Sequence, residues 1–524
     1  MYREETPLAL LYRKSAYLLG IALATLVVMA IALITGFFAA VYPTWFVLKV
    51  GIVATALVVW LFALLVTSDT AAPERLLKGM LNILLLLWGV WPAYLSYKVG
   101  SLPDINPVRL VYWTLIAVWL YSMTASKSFR SALFERVKSF KIFFWVITAF
   151  TLWQIVSGFA SEYWSYSAYF AIKALLPGYV VFLIAVSVYR SLAELERAVI
   201  VVVIAAVIAS LIGFAEAVHG SNLFLRFFPS DPEQLQSLAW ILVEKSREGV
   251  LRVSSTFAHP LALAEYLSMC LPLAAYLMLK GATRTRRWLG LLAIPVIAAA
   301  IYLTHARSAL IAVGAVTIIY ATVAGLSGMQ QGRRFAHSLL GAFVLVVVVV
   351  SGIAAIGSAM ELAQGRTVAE RGSTQARVIM YQRGMAAIEK QPVLGYGPGV
   401  AAYTIGRLPG QSTLTIDSYF LTVVLESGVL GLILYAWLLL YPIYHGAHLA
   451  IVERNHFGWL GLSLALALLA FLIEKTVLSL TNNFDFSWVL AGMLLTVVWL
   501  RNQAEGAEPG SGKRQVLNAS PRSL

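Results

Sequence analysis

Apolar runs about as long as a bilayer is thick recur along the whole chain. They fall at 16–41, 44–66, 78–97, 108–124, 141–160, 167–189, 198–218, 259–279, 288–304, 308–326, 338–356, 418–440, 458–480 and 487–501. A membrane-spanning helix needs roughly 20 apolar residues, and a backbone in lipid must satisfy its own hydrogen bonds. Runs of this length therefore predict helices that cross the membrane. Of the 524 residues 60% are hydrophobic, and the mean hydropathy is +0.80, more apolar surface than a soluble core can bury. The expected fold is an all-α polytopic integral membrane protein of about 12–14 transmembrane helices. The range reflects two short runs, 108–124 and 288–304, and a third, 167–189, that carries Lys173 and Pro177. The first run lacks a small-residue cleavage site and reads as a retained anchor, not a cleaved signal peptide.

Basic residues set the expected orientation. They cluster in alternate loops: Arg13 and Lys14; Lys127, Arg130, Arg136, Lys138 and Lys141; Lys280, Arg284, Arg286 and Arg287; Arg333 and Arg334; then Arg501 and the tail. Positive loops resist translocation, so these face the cytoplasm, and fourteen spans with both termini inside fit all of them. The net charge of +14 thus points to membrane lipid, not nucleic acid. The one cysteine, Cys270, lies in an apolar run, which excludes an intramolecular disulfide. Phosphate-binding loops, dinucleotide fingerprints, zinc spacings and internal repeats are absent. The expected organisation is a transmembrane domain over 1–356 with an outward loop at 219–258. A large outward loop follows at 357–417, then three last spans over 418–502 and a disordered cytoplasmic tail over 503–524.

The large loop contains RGSTQARVIMYQRGMAAIEKQP at 371–392, with Arg371, Arg377, Arg383 and Lys390 on the side where cations are scarce. Gly372-Ser373-Thr374 is suited to cap a helix, and Pro392 with Gly395 to end it. At about 100° per residue, Val378, Tyr381, Met385 and Ile388 share an apolar face of an amphipathic helix. Arg377 falls within that arc, whereas Arg383 and Lys390 point away and read as solvated charges. An arginine beside a dry surface needs a partner, because an unpaired buried guanidinium costs several kcal/mol. That partner is either a protein carboxylate or an anionic ligand such as phosphate, which guanidinium matches bidentately.

Other polar residues map to the same depth, the outer edge of the bilayer. Arg252 opens RVSSTFAHP, and His259 follows just before a span; His305 and Arg307 lie in THARSAL; Asp417 opens IDSYF. Each has a simpler reading: arginines that snorkel to headgroups, a histidine at a helix start, an aspartate at an N-cap. Lys49, Lys173, Glu216, Glu265, Glu426, Glu474 and Lys475 fall within spans, where ionisable groups are functional candidates. Glu474 and Lys475 point roughly 100° apart on a helix and need other partners. The GYGPG turn at 395–399 gives backbone amides room to approach a substrate, or simply ends a helix.

The ordered series RVSSTFAHPLALAEYL, THARSALIAVG, ARVIMYQRGMAAIEKQPVLGYGPG and IDSYFLTVVLESGVLGLILY, over residues 250–440, resembles the O-antigen ligase and O-antigen polymerase superfamily. The resemblance implies a membrane glycosyltransferase of the GT-C type in the bacterial inner membrane, with its active site facing the periplasm. It implies an undecaprenyl-pyrophosphate-linked glycan as donor, a glycan acceptor and a chain-length-regulating partner. Neither a metal nor another cofactor is expected. By motif, Arg252, Arg307 and Arg377 would bind pyrophosphate. Asp417, then His259, would serve the acceptor hydroxyl; Lys173, Tyr381, Tyr419 and Glu426 are further candidates. Lipid A-core ligases carry a histidine where this chain has Asp417-Ser418, and no histidine occurs in 357–417. The departure favours polymerisation of O-antigen or exopolysaccharide repeats. The alternatives are an O-antigen ligase or protein O-oligosaccharyltransferase with the same donor, and a small-anion transporter.

Overall fold

The computed structural model describes residues 70–92, 94–97, 105–224, 227, 246–247, 250–329, 368–406 and 416–506. The runs at 16–41, 44–66 and 338–356, Lys49 and most of the 219–258 loop lie outside them. The other eleven runs are all helical. The helices are α1 (Glu74–Val90), α2 (Pro107–Ala125), α3 (Lys127–Ser139), α4 (Lys141–Ala160), α5 (Trp164–Val188) and α6 (Leu192–His219). After a two-residue hairpin, β1 (Ser246–Arg247) with β2 (Val250–Leu251), come α7 (Pro260–Lys280), α8 (Arg284–Leu303) and α9 (Arg307–Met329). The rest are α10 (Val368–Lys390), α11 (Ala401–Ile405), α12 (Tyr419–Val452), α13 (His456–Lys475) and α14 (Phe484–Gly506). Among the described residues, nine helices are long and apolar enough to cross a membrane: α2, α4, α6, α7, α8, α9, α12, α13 and α14. The chain is an all-α multi-pass membrane protein.

The chain divides into two compact units: residues 1–73 with 117–134, and residues 74–116 with 135–524. In the first, the Thr70 amide and hydroxyl donate to the Ala125 carbonyl, and Arg130 donates to the Met123 and Thr124 carbonyls. The second holds every candidate site residue. Its centre is α13, which packs on α7, α9, α12 and α14. Helix α7 is buried almost throughout, as expected of a helix that is apolar on all sides.

Local chemistry sets the helix starts. Ser191, Thr283, Ser418 and Asn455 cap α6, α8, α12 and α13, each accepting from a backbone N–H in the first turn. At the basic end of the second unit several cations are paired with carboxylates. Lys78 meets Glu194 at 2.7 Å, Arg190 meets Glu74 at 3.0 Å, Arg286 meets Glu196 at 3.0 Å and Arg501 meets Glu453 at 3.1 Å. Arg136, fully buried, donates to the Val186 carbonyl and lies 4.3 Å from the Trp499 ring.

Glu265 of α7 and Lys475 of α13 form an ion pair at 2.8 Å with neither side chain exposed. Lys475 is thus the partner of a residue 210 positions away, not of its neighbour Glu474. Asn483 donates to Glu265 Oε2 and to the Ala262 carbonyl, both at 2.9 Å, and Lys475 also donates to the Leu480 carbonyl. The pair fastens the turn between α13 and α14 to the start of α7. Removing one member leaves an uncompensated charge in a dry site, which costs about 3–5 kcal/mol. Lys475→Met is therefore expected to lower the melting temperature of the detergent-solubilised chain sharply. Glu265→Leu combined with Lys475→Met should recover most of the loss, measured by thermal unfolding of the purified variants.

Candidate active site on the amphipathic helix

Helix α10 docks on α12 through small residues. Ala376, Met380, Gly384 and Ala387 form its buried stripe, packed with Leu421, Val424 and Leu425. A Cβ on Gly384 would lie 2.9 Å from Leu421 Cδ1, so the two helices approach as closely as glycine permits. The wheel left open whether its apolar face meets protein or the membrane surface. Val378, Tyr381 and Met385 are 51%, 45% and 54% exposed, so the bulky apolar face points out of the protein; only Ile388 of that face is partly packed on the core. Small side chains make helix contacts in membranes, and bulky apolar ones are left for lipid. Arg377 sits on one flank of the buried stripe, next to the outward apolar face. Arg383 and Lys390 sit on the other flank, both exposed as expected.

The structure brings Arg377 and Asp417 together: Nε lies 3.4 Å from Oδ2, with the side chains 41% and 37% exposed. Arg377 makes no other hydrogen bond or ion pair among the described residues, so its terminal nitrogens keep their donors for another acceptor. Asp417 is not the N-cap of α12. Ser418 takes that role, accepting from Leu421 N at 3.4 Å, which leaves the carboxylate turned to Arg377. Two contacts fix the Asp417 backbone: its N–H meets Met380 Sδ at 3.3 Å, and the adjacent Ile416 carbonyl accepts from Ser479. Ser479 belongs to the turn that Lys475 and Asn483 anchor, so the buried ion pair and the half-open pair share one scaffold.

Helix α12 breaks ten residues after Ser418. Gly428 has φ 69° and ψ −177°, and a Cβ there would fall 1.9 Å from the Val393 carbonyl oxygen. The stretch after α10 occupies the break. Tyr396 and Gly397 N–H groups donate to the Leu425 and Glu426 carbonyls at 2.8 and 2.9 Å, and Val429 N–H donates to the Pro392 carbonyl at 2.8 Å. From α4, Trp153 donates to the Ser427 carbonyl at 2.7 Å, and Ser157 donates to the carbonyls of Leu394 and Glu426 at 2.8 and 2.6 Å. Ser161, just past α4, donates to the Tyr396 carbonyl at 2.6 Å. The Glu426 carboxylate accepts from the N–H groups of Gly399 and Ala401, at the start of α11. Glu426 therefore holds the GYGPG turn. The Tyr419 ring packs at a tilt against those of Phe484 and Tyr435, with ring centroids 4.6 and 5.4 Å away. Tyr381 is half exposed on the outward face, and the side chain of Lys173 falls outside the described ones.

The remaining candidates hold a second segment at this end of the bundle. RVSSTFAHP, expected at the end of an outward loop, is buried from Val253 to Ala258. The Glu216 carboxylate accepts from Ser254 N at 3.1 Å, Ser254 Oγ at 3.3 Å and Ser255 N at 2.5 Å. Thr256 donates to the Gly89 carbonyl at 2.7 Å. Arg252 Nε donates to the Thr304 carbonyl at 3.0 Å, three residues before Arg307, which begins α9. His305 takes a positive φ of 50° in the turn between them. His259 caps α7, its Nδ1 accepting from Leu261 N at 3.1 Å, the simpler role of a histidine at a helix start. No hydrogen bond or ion pair among the described residues joins Arg252, His259 or Arg307 to the Arg377–Asp417 pair; each engages other groups.

Residues 291–436 match the family model described as O-antigen ligase. The match takes in Arg307, Arg377, Asp417 and Glu426 and leaves Arg252 and His259 outside. No curated protein matches the chain. The resemblance to the O-antigen ligase and polymerase superfamily holds, and the chain is a membrane enzyme of that superfamily.

Glu426→Ala removes the acceptor of two amides at the GYGPG turn, and each buried donor left unsatisfied costs about 1–3 kcal/mol. Amide hydrogen exchange over 394–405 is expected to speed up in this variant, while α7 and α13 keep wild-type protection.

Proposed function

We propose that the chain polymerises undecaprenyl-pyrophosphate-linked oligosaccharide repeats at the outer face of the inner membrane. The observation that carries this reading is the half-open Arg377–Asp417 pair, on an interfacial helix and inside the matched region. A lipid-linked pyrophosphate lies at the membrane surface, and α10 turns its bulky apolar side chains outward beside Arg377. Asp417 holds the guanidinium by Nε and leaves the terminal nitrogens to receive phosphate oxygens.

Chemically, the acceptor hydroxyl oxygen forms a bond to C1 of the donor sugar as the C1–O bond to pyrophosphate breaks. The bonding pair leaves with the pyrophosphate, whose growing negative charge Arg377 meets without reorganisation. The hydroxyl proton goes to the Asp417 carboxylate, which lies beside the arginine and so beside the reacting carbon. Arg252 and Arg307, near each other at the same end of the bundle, are assigned to the donor's second phosphate. Asp417 and Ser418, in the place of the ligase histidine, favour a glycan acceptor over a lipid A-core acceptor. The ligase reading shares this donor site and takes support from the description of the matched family.

Reconstitution separates the two. The purified chain in liposomes with the lipid-linked repeat unit alone is expected to yield a ladder of repeats on a gel. A single shift that appears only when a lipid or protein acceptor is added would establish a ligase instead. Arg377→Lys keeps the charge but loses the fork, and should lower turnover about 10²–10³-fold. Asp417→Asn should lower kcat by about 10² or more with donor affinity little changed. Unchanged turnover in Asp417→Asn would remove that carboxylate from the reaction.

A further inference from the structure

The flank of α10 away from Arg377 borders a cavity of about 520 Å³, open to the outside. Arg383 and Lys390 line it from α10, Glu162 and Tyr163 from the turn after α4, Tyr396 from the GYGPG turn and Tyr403 from α11. Its walls are anchored. Arg383 Nη1 donates to the Ile405 carbonyl at 3.1 Å, at the end of α11. The Tyr396 hydroxyl donates to the Ala387 carbonyl at 3.0 Å, and Ser161 holds the Tyr396 backbone. The rings of Tyr163 and Tyr403 stay 56% and 62% exposed.

Two features identify what such a cavity suits. Tyrosine rings offer flat, rigid, amphipathic surface at little entropic cost, matched to the mixed apolar and hydroxylated faces of sugars. Arg383 and Lys390, two turns apart on one flank, converge on the cavity against the single carboxylate of Glu162, an excess of positive charge that an anionic group relieves. A lipid headgroup fits less well: the apolar stripe that would receive acyl chains, Val378, Tyr381 and Met385, lies on the opposite side of α10. The volume is in the usual range for a small-molecule site. Six residues of helix separate Arg377 from Arg383, about 9 Å of rise, within reach of a short oligosaccharide.

We propose that this cavity is a glycan-binding subsite that takes an acidic sugar segment of donor or acceptor next to the reacting residue. The proposal rests on the glycan-transfer reading. The test uses the full chain in nanodiscs and oligosaccharides released from the surface polysaccharide of the strain that encodes it, native and with carboxyl groups chemically reduced. Binding is read by saturation-transfer NMR and thermophoresis. The native oligosaccharide is expected to bind, and Lys390→Gln and Tyr403→Ala each to weaken it about tenfold or more. Carboxyl reduction should weaken wild-type binding and have little further effect on Arg383→Gln combined with Lys390→Gln. Because Arg383 also tethers α11, Lys390→Gln and Tyr403→Ala, both exposed, decide the matter if Arg383→Gln fails to fold. Wild-type affinity in those two variants, or equal affinity for native and reduced forms, overturns the subsite. Binding through these residues by a chain that makes no ladder keeps the subsite and removes the polymerase reading. A ladder with binding untouched in the variants keeps the reading and removes the subsite.

Discussion

The break in α12 at Gly428 is the constraint on which the end of the protein that carries Arg377 and Asp417 depends. A helix opened inside a membrane exposes carbonyls and amides that lipid cannot satisfy, so other protein groups must do so. Here Pro392, Tyr396 and Gly397 supply backbone partners, and Trp153 and Ser157 supply side chains. The segment after α10 is thereby fixed to the helix that begins beside Asp417. Because α10 is also packed on α12 through Ala376, Met380 and Gly384, both ends of the loop helix are held against one element. Arg377 and Asp417, 40 residues apart, meet because of that double attachment.

Helix α10 serves three environments at once. Its small-residue stripe meets protein, its bulky apolar stripe faces outward, and its two basic flanks carry different groups. Arg377 shares its flank with a carboxylate at a distance, 3.4 Å, that binds without closing the guanidinium off. Arg383 and Lys390 border a polar cavity walled by tyrosines. One helix thus carries the pair we propose receives leaving-group charge and, about two turns along, the cavity we propose binds sugar. Beneath them the fully buried Glu265–Lys475 pair holds the turn whose Ser479 binds the Ile416 carbonyl, so the position of Asp417 is set from below as well.

How much of this was legible follows from the range of each signal. Apolar runs and caps are local, and all eleven runs within the described residues are helices. Position relative to the apolar runs groups Arg252, Arg307, Arg377 and Asp417 at one depth, yet depth carries no lateral information. It could not show that Arg377 faces Asp417 while Arg252 engages Thr304. The wheel of 375–390 found the apolar face but not its direction, because in a membrane bulk marks lipid and smallness marks contact. Glu426 looked like an intramembrane functional group; its partners, the amides of Gly399 and Ala401, leave no mark in a pattern of side chains. Ser157, Ser161, Ser479 and Asn483 were invisible for the same reason, as each bonds a distant carbonyl.

The most direct test of the central claim is retention of undecaprenyl pyrophosphate, without sugar, by the full-length chain in native mass spectrometry. Wild-type protein should hold the lipid, and Arg377→Gln should lose most of it while Arg284→Gln, at the basic end, holds it as wild type does. Equal retention by Arg377→Gln and wild type would contradict the assignment of Arg377 to the donor's pyrophosphate.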